Sequence, residues 1–276
     1  MRHVLAIARL TLQEAARRKI LVAALIAGLA FLTLYGVGLH FMLKTEGGGA
    51  TILERKVMLN VLTLAGLYAA SLLTIMTAVL LPVDTLSGEI ASGVIQTVAV
   101  RPVRRRDIVL GKWLGHWIVM SGYFALMAGG VLAIMAVRAH FTPPGVARGL
   151  PLMLLDGTVL LTISIAGGAR LSTVTNGVLA FGLYGMAFIG NWVEQIGTFM
   201  GNDTARTVGT VASLIMPGES LWQLAASKMQ PSILRDLGAS PFSPVSVASP
   251  AMIWWAVGYV VVTLLLGMRA FGRRPL

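Results

Sequence analysis

Six stretches of this chain run for about the length of a bilayer-crossing helix with almost no charge. They are Ile20 to Leu43, Val57 to Val83, Trp113 to Val137, Gly149 to Ala169, Leu171 to Val193 and Ala251 to Met268. Only Asp156 interrupts the fourth. A charged side chain at mid-bilayer costs about 2.5–3.5 kcal/mol on insertion scales, so runs like these are selected by lipid rather than by water. The fourth and fifth are the least distinct, because only Arg170 and a Ser-Thr-Asn run separate them. The pattern predicts an all-α integral membrane protein with six transmembrane helices, one domain over residues 20–276 behind an N-terminal segment, 1–19.

Composition agrees with that class. The chain is 56% hydrophobic and 12% charged, whereas soluble domains carry about 25% charged residues. Its 31 glycines suit helices that approach one another closely in lipid. The net charge of +11 would suggest nucleic acid in a soluble protein. Here the basic residues flank spans, where they set orientation and meet anionic headgroups, so no nucleic-acid partner is expected. With no cysteine, disulfides, thiolate nucleophiles and Cys-ligated metals are excluded.

If the N-terminus is cytoplasmic, fourteen Lys and Arg residues lie inside and eight outside. Three of those eight fall in the long segment 194–250, where the rule weakens. Both termini are therefore expected in the cytoplasm. No small-residue cleavage site follows a short apolar core near Met1, so the first span is expected to insert and stay.

From His3 to Ile20 the chain is too charged to span, yet Val4, Leu5, Ile7, Ala8, Leu10, Leu12 and Ala15 recur at helical spacing. That describes an interfacial helix with its apolar face in lipid and its basic face toward headgroups. The alternative is an ordinary lead-in. Segment 194–250 is expected outside the membrane as a loop with short amphipathic or re-entrant pieces at Leu214–Met216, Leu221–Ala226 and Ile233–Leu237. Trp254 and Trp255, with Trp192 and Trp222, read as headgroup-level belt residues. Asn60, Tyr68, Ser71, Thr74, Thr77, Ser121, Tyr123, Thr162, Ser164 and Asn191 either stitch helices together or line a polar cavity.

Most functional information sits in residues 84–112, between the second and third spans. The segment reads as a short helix capped by Ser87, with Glu89 near its positive end, then a turn at Pro102 and a second helix entered through Asp107. Ile90, Val94 and Ile95 form one apolar stripe, and such a stripe on a solvent-side loop usually has a partner.

At these residues the chain resembles the permease subunits of ABC-2 type transporters. That family shows Gly-Glu-x-x-x-Gly-Thr/Val-Ile/Leu after its second span, then Arg-Pro-Val/Leu-Ser/Arg-Arg and Gly-Lys entering the third. Here these stand as Gly88-Glu89-Ile90-Ala91-Ser92-Gly93-Val94-Ile95, Arg101-Pro102-Val103-Arg104-Arg105 and Gly111-Lys112. The chain is also broadly similar, in size and span count, to the branch serving copper-site maturation of nitrous oxide reductase. The resemblance implies that the loop is a cytoplasmic coupling helix docking into a separate ABC ATP-binding subunit. Glu89 would face polar groups of that ATPase, Gly88, Ile90, Gly93, Val94 and Ile95 would fit its groove, and Arg101, Arg104 and Arg105 would sit at headgroup level. The alternative is that Glu89 is a helix-start charge and the arginines only set topology. Also implied are two membrane subunits, identical or not, with two ATPases, a bacterial or archaeal plasma membrane, export, and an accessory protein outside.

No Gly-x-x-x-x-Gly-Lys-Ser/Thr phosphate loop occurs, so no cofactor is expected on this chain, and ATP and Mg belong to the partner. The histidines, His3, His40, His116 and His140, are scattered without the spacing of a metal site, and His116 sits where it can titrate. Asp156 is the one acid within a predicted span, placed near its outer end, which makes it either a functional site or a snorkelling side chain. A catalytic role is not expected. A scaffold or sensor that recruits an ATPase without transport is the rival reading, ahead of a gradient-driven transporter, whose inverted repeats are not apparent.

Overall fold

A computed structural model describes residues 2–45, 51–93, 104–231 and 248–273. Among them are ten helices and no strand: α1 (Arg2–Ala16), α2 (Lys19–Thr45), α3 (Ile52–Leu80), α4 (Ser87–Ala91), α5 (Arg105–Ala139), α6 (Val146–Gly168), α7 (Thr173–Phe199), α8 (Asp203–Ile215), α9 (Gly218–Met229) and α10 (Ala251–Gly272). Six of them, α2, α3, α5, α6, α7 and α10, are long and apolar enough to cross a membrane. A helix satisfies its own backbone, which is what lipid demands of any crossing segment. Successive spans alternate in direction, so α1, α4 and both ends of the described chain share one end of the bundle, here the near end. Helices α8 and α9 belong to the far half.

The core lies where α3, α5, α6 and α9 meet, around Leu64, Leu67, Met127, Val159, Leu160 and Leu221. In contrast, α2 is peripheral, with Ile26, Leu34 and Phe41 more than 60% exposed, a surface for lipid or another subunit. Close approach is bought by glycine where α2 crosses α5, since a Cβ on Gly28 would lie 2.6 Å from the Met127 side chain. Helix α3 starts on a capping box, in which the Thr51 hydroxyl accepts from the Glu54 amide and the Glu54 carboxylate accepts from the Thr51 amide.

Polar groups inside the spans stitch helices together. Ser164 donates to the carbonyl of Val79, Asn176 to those of Val83 and Ser164, Tyr123 to that of Ala24, and Asn60 to that of Met229. Thr63, Thr74 and Thr77 return their hydroxyl protons to carbonyls four residues earlier.

Three expectations are corrected here. Helix α1 does not present its whole apolar face outward: Ala8, Thr11 and Ala15 are buried on α5, and a Cβ on Gly111 or Gly115 of α5 would strike Ile7 or Thr11. Small residues on both helices make that crossing tight, while Leu5 and Leu10 stay more than 60% exposed. Residues 203–229, expected as a loop with short amphipathic or re-entrant pieces, form two full helices. Helix α8 folds back along α7 through the small-residue contacts Gly190 to Ala212 and Gly197 to Ala205. Helix α9 is sunk into the bundle, with eleven of its twelve residues buried. Trp222 is therefore no belt residue, being 5% exposed with its ring 4.8 Å from that of Tyr68, whereas Trp192, Trp254 and Trp255 are exposed. The piece expected at Ile233–Leu237 lies outside the described residues.

Candidate functional site

At the near end, the chain leaves α3 through Leu81, Pro82 and Val83 and makes the one-and-a-half turns of α4. Ser87 does not cap this helix. Leu86 holds the capping position, while the Ser87 hydroxyl donates to the carbonyl of Val83 and pairs with the hydroxyl of Thr173 at 2.8 Å. Ser92 closes the helix as its C-cap, and Gly93 follows with a φ of +73° that suits a residue without a Cβ.

The polar side chains around α4 reach out to several other helices. Asp84 pairs with Arg18, at the elbow between α1 and α2, and Arg18 also pairs with Glu14 at 2.6 Å and donates to the Leu81 carbonyl. Burial works to lower the guanidinium's pKa, but the bonds and charges of Glu14 and Asp84 outweigh it and raise it above its ordinary value. Glu89 pairs with Lys112 of α5, and Lys112 is almost fully buried there. Nδ1 of His116, one turn further along α5, bonds the carbonyl of Lys112 at 2.9 Å, which leaves Nε2 to accept from the hydroxyl of Thr85 at 3.2 Å. On the apolar side, Leu86 is fully buried among Ile108, Leu161, Ile165 and Phe271, and Ile90 packs against that cluster.

The expected coupling residues thus divide. Glu89 and Ile90, assigned by resemblance to the ATPase, are directed into the chain's own bundle, because Lys112 supplies the counter-charge and the Leu86 cluster the apolar surface. Gly88 and Gly93 are partly exposed and Ser92 is exposed. Val94, Ile95 and Arg101 lie outside the described residues. Arg104 precedes α5 as its extended N-cap and is exposed, and Arg105 donates to the Gly272 carbonyl at 3.4 Å. Arg18, Asp84 and Thr85 had no sequence signal beyond their charge or polarity, because the pairings Arg18–Asp84 and Thr85–His116 span 66 and 31 residues, and the Gly-Lys motif that holds Lys112 did not point to Glu89.

Asp156 belongs to a different region. It lies midway along α6, not near an end, and at 2% exposure it does not snorkel. His116 sits on α5 in a separate network with Thr85 and Lys112 at the near end, so the two candidate intramembrane polar residues do not form one site. Asp156 instead abuts the start of α9, where Glu219 is also buried. The sequence reading passed over Glu219; its one signal is that it is the lone acid between Asp203 and Asp236.

Among curated proteins, none matches the chain. The family model described as ABC-2 family transporter protein matches residues 5–276, from the start of α1 past the end of α10. A bundle of six membrane-crossing helices matched over nearly its whole length is a multi-pass membrane permease component of an ABC transporter, and the chain belongs to the ABC-2 transporter family.

Proposed function

We propose that this chain couples ATP hydrolysis on a separate ABC ATP-binding subunit to export of a substrate, with segment 84–112 as the element that receives the movement. The observation that carries this reading is the wiring of α4. Four contacts tie one short segment to three other parts of the bundle: Asp84 to the α1–α2 elbow, Glu89 and Thr85 to α5, and Ser87 to α7. A displacement of α4 has no slack to take up before those helices move. Such a chain of paired polar and packed groups is the physical means by which two sites couple.

In this reading the docking surface is the outer side of α4 around Gly88, Ser92 and Gly93, continued by Val94 and Ile95. Glu89 and Ile90 act one layer in, as the links that pass the push inward. The near end then faces the cytoplasm, both termini included, in a bacterial or archaeal plasma membrane. Two membrane subunits assemble with two ATPases, and an extracytoplasmic accessory protein has the far half available to it. ATP and Mg are held by the partner, and this chain performs no catalysis.

The test is co-purification from mildly solubilised native membranes, comparing the native chain with Ser92→Arg and Glu89→Arg forms, followed by ATPase assay in liposomes. Recovery of a phosphate-loop ATPase with the native chain, its loss with Ser92→Arg, and hydrolysis stimulated by substrate support the reading. An ATPase that binds but responds to no substrate moves the assignment to a recruiting scaffold. Transport that persists without ATP and collapses with the ion gradient moves it to a secondary transporter.

A further inference from the structure

The far half of the bundle contains a second polar cluster that the ATPase reading does not use. Asp156 of α6 is 2% exposed, and its Oδ1 has no hydrogen-bond donor. That oxygen is pressed against the start of α9, where a Cβ on Gly218 would lie only 2.4 Å from it. The next residue is Glu219, 5% exposed, so the two acids stand in each other's field. Neither has a salt-bridge partner among the described residues.

The hydrogen bonds are unequal. Gln223 donates to the side-chain oxygen of Asn191, and the Asn191 amide donates to Oε1 of Glu219 at 3.3 Å. Glu219 therefore receives a donor, as a carboxylate needs, and Asp156 Oδ1 receives none. Among the described residues, the other packed elements bring no cation: α3 contributes Tyr68 and α7 contributes Tyr184, while α10 places Tyr259 at the edge of the same core. Helix α5 meets this stretch of α6 through Met120 at Gly157. No third His, Asp or Glu joins the pair among the described residues, too few ligands for a divalent metal.

A buried carboxylate without donor or counter-charge is far costlier than the neutral acid, and two adjacent acids do not both ionise readily. We infer that Asp156 and Glu219 form a proton-binding site that holds one proton, resting on Asp156. The tight contact at Gly218 leaves a proton room where a hydrated or alkali cation has little. With the proton bound, α9 seats against α6; its loss places two carboxylates face to face and drives the helices apart. The site is a proton-dependent latch on the half of the bundle opposite α4. It does not depend on the ATPase assignment.

The experiment is infrared difference spectroscopy on the purified protein in lipid nanodiscs, in neutral choline buffer, before and after exchange into deuterated water. The native protein should show the carbonyl stretch of a neutral carboxylic acid, downshifted on deuteration. That band should be lost in Asp156→Asn and retained in Glu219→Gln, both near-isosteric and checked for monodisperse elution. No such band in the native protein overturns the inference without recourse to any variant. So does a band that survives Asp156→Asn, or one that vanishes when sodium replaces choline at fixed pH, since the ligand is then sodium.

Discussion

The two halves of this bundle handle charge in opposite ways. At the near end, acids meet bases: Glu89 has Lys112, while Asp84 and Glu14 have Arg18. In the far half, Asp156 and Glu219 meet each other, with amides for company. A paired buried charge is a fixed strut, costly to break and insensitive to small changes around it. An acid pair without a base has two states close enough in energy for a proton to choose between them. Transmission belongs with the first kind of site and switching with the second.

Breaking the strut should have the largest effect. Glu89→Ala leaves the Lys112 ammonium almost buried without a counter-charge, a loss on the order of 3 kcal/mol, and Glu89→Arg adds repulsion. Thermal unfolding in detergent and substrate-stimulated hydrolysis should both fall. The swap Glu89→Lys with Lys112→Glu separates an internal strut from a partner contact. It should restore most of the stability and much of the coupling; stability regained with coupling still absent would mean that the ATPase reads the sign of residue 89 directly.

Glycine replacements sharpen the comparison at a smaller scale. A Cβ at position 111 meets the Val4 carbonyl at 2.9 Å and the Ile7 Cβ at 2.6 Å, neither of which can turn aside. Gly111→Ala should therefore cost roughly 1–3 kcal/mol and loosen α1, read as faster proteolysis between Ala16 and Lys19. Gly218→Ala meets the Asp156 carboxyl, a side chain that can rotate away, so its stability cost should be the lesser, about 1 kcal/mol. Its signature should lie elsewhere: the carboxylic-acid band shifts in frequency because the Asp156 environment has changed. A Gly218→Ala protein with native stability and an unshifted band would show that α9 does not rest on Asp156.

How far the sequence speaks follows the same division. The six spans were legible because lipid excludes charge and every violation shows in one dimension. The outline of α1 was legible from its periodicity, but not its burial against α5, because the periodicity of an apolar face is the same whether lipid or a helix covers it. Glu89 read as outward-facing because its motif was visible, while Lys112, which turns it inward, stands 23 residues later. Asp156 was found as the lone acid in a span. Glu219, 63 residues further on, was hidden because it stands beside Pro217 and Gly218, just ahead of the short piece legible at Leu221–Ala226. Only the packing of α9 between α3, α6 and α7 brings the two together. Ser87 misled for a local reason: a serine before a glutamate resembles a cap, but its hydroxyl is spent on Val83 and Thr173.

The smallest effect on stability should come from Asp84, and it divides strength from transmission. The Asp84 side chain is 42% exposed and that of Arg18 20%, and Arg18 keeps Glu14 when Asp84 is neutralised. Asp84→Asn should thus cost less than about 1 kcal/mol, within the range of solvent-screened pairs, and leave the unfolding temperature nearly unchanged. The charge that holds the α1–α2 elbow is nonetheless removed, leaving only neutral acceptors on that side, the substituted amide and the Leu81 carbonyl, so coupling should weaken more than stability does. The check is the ratio of transport to ATP hydrolysed, measured beside the melting curve. If that ratio stays native, α1 and α2 only brace the bundle, and the movement of α4 passes through α5 and α7 alone.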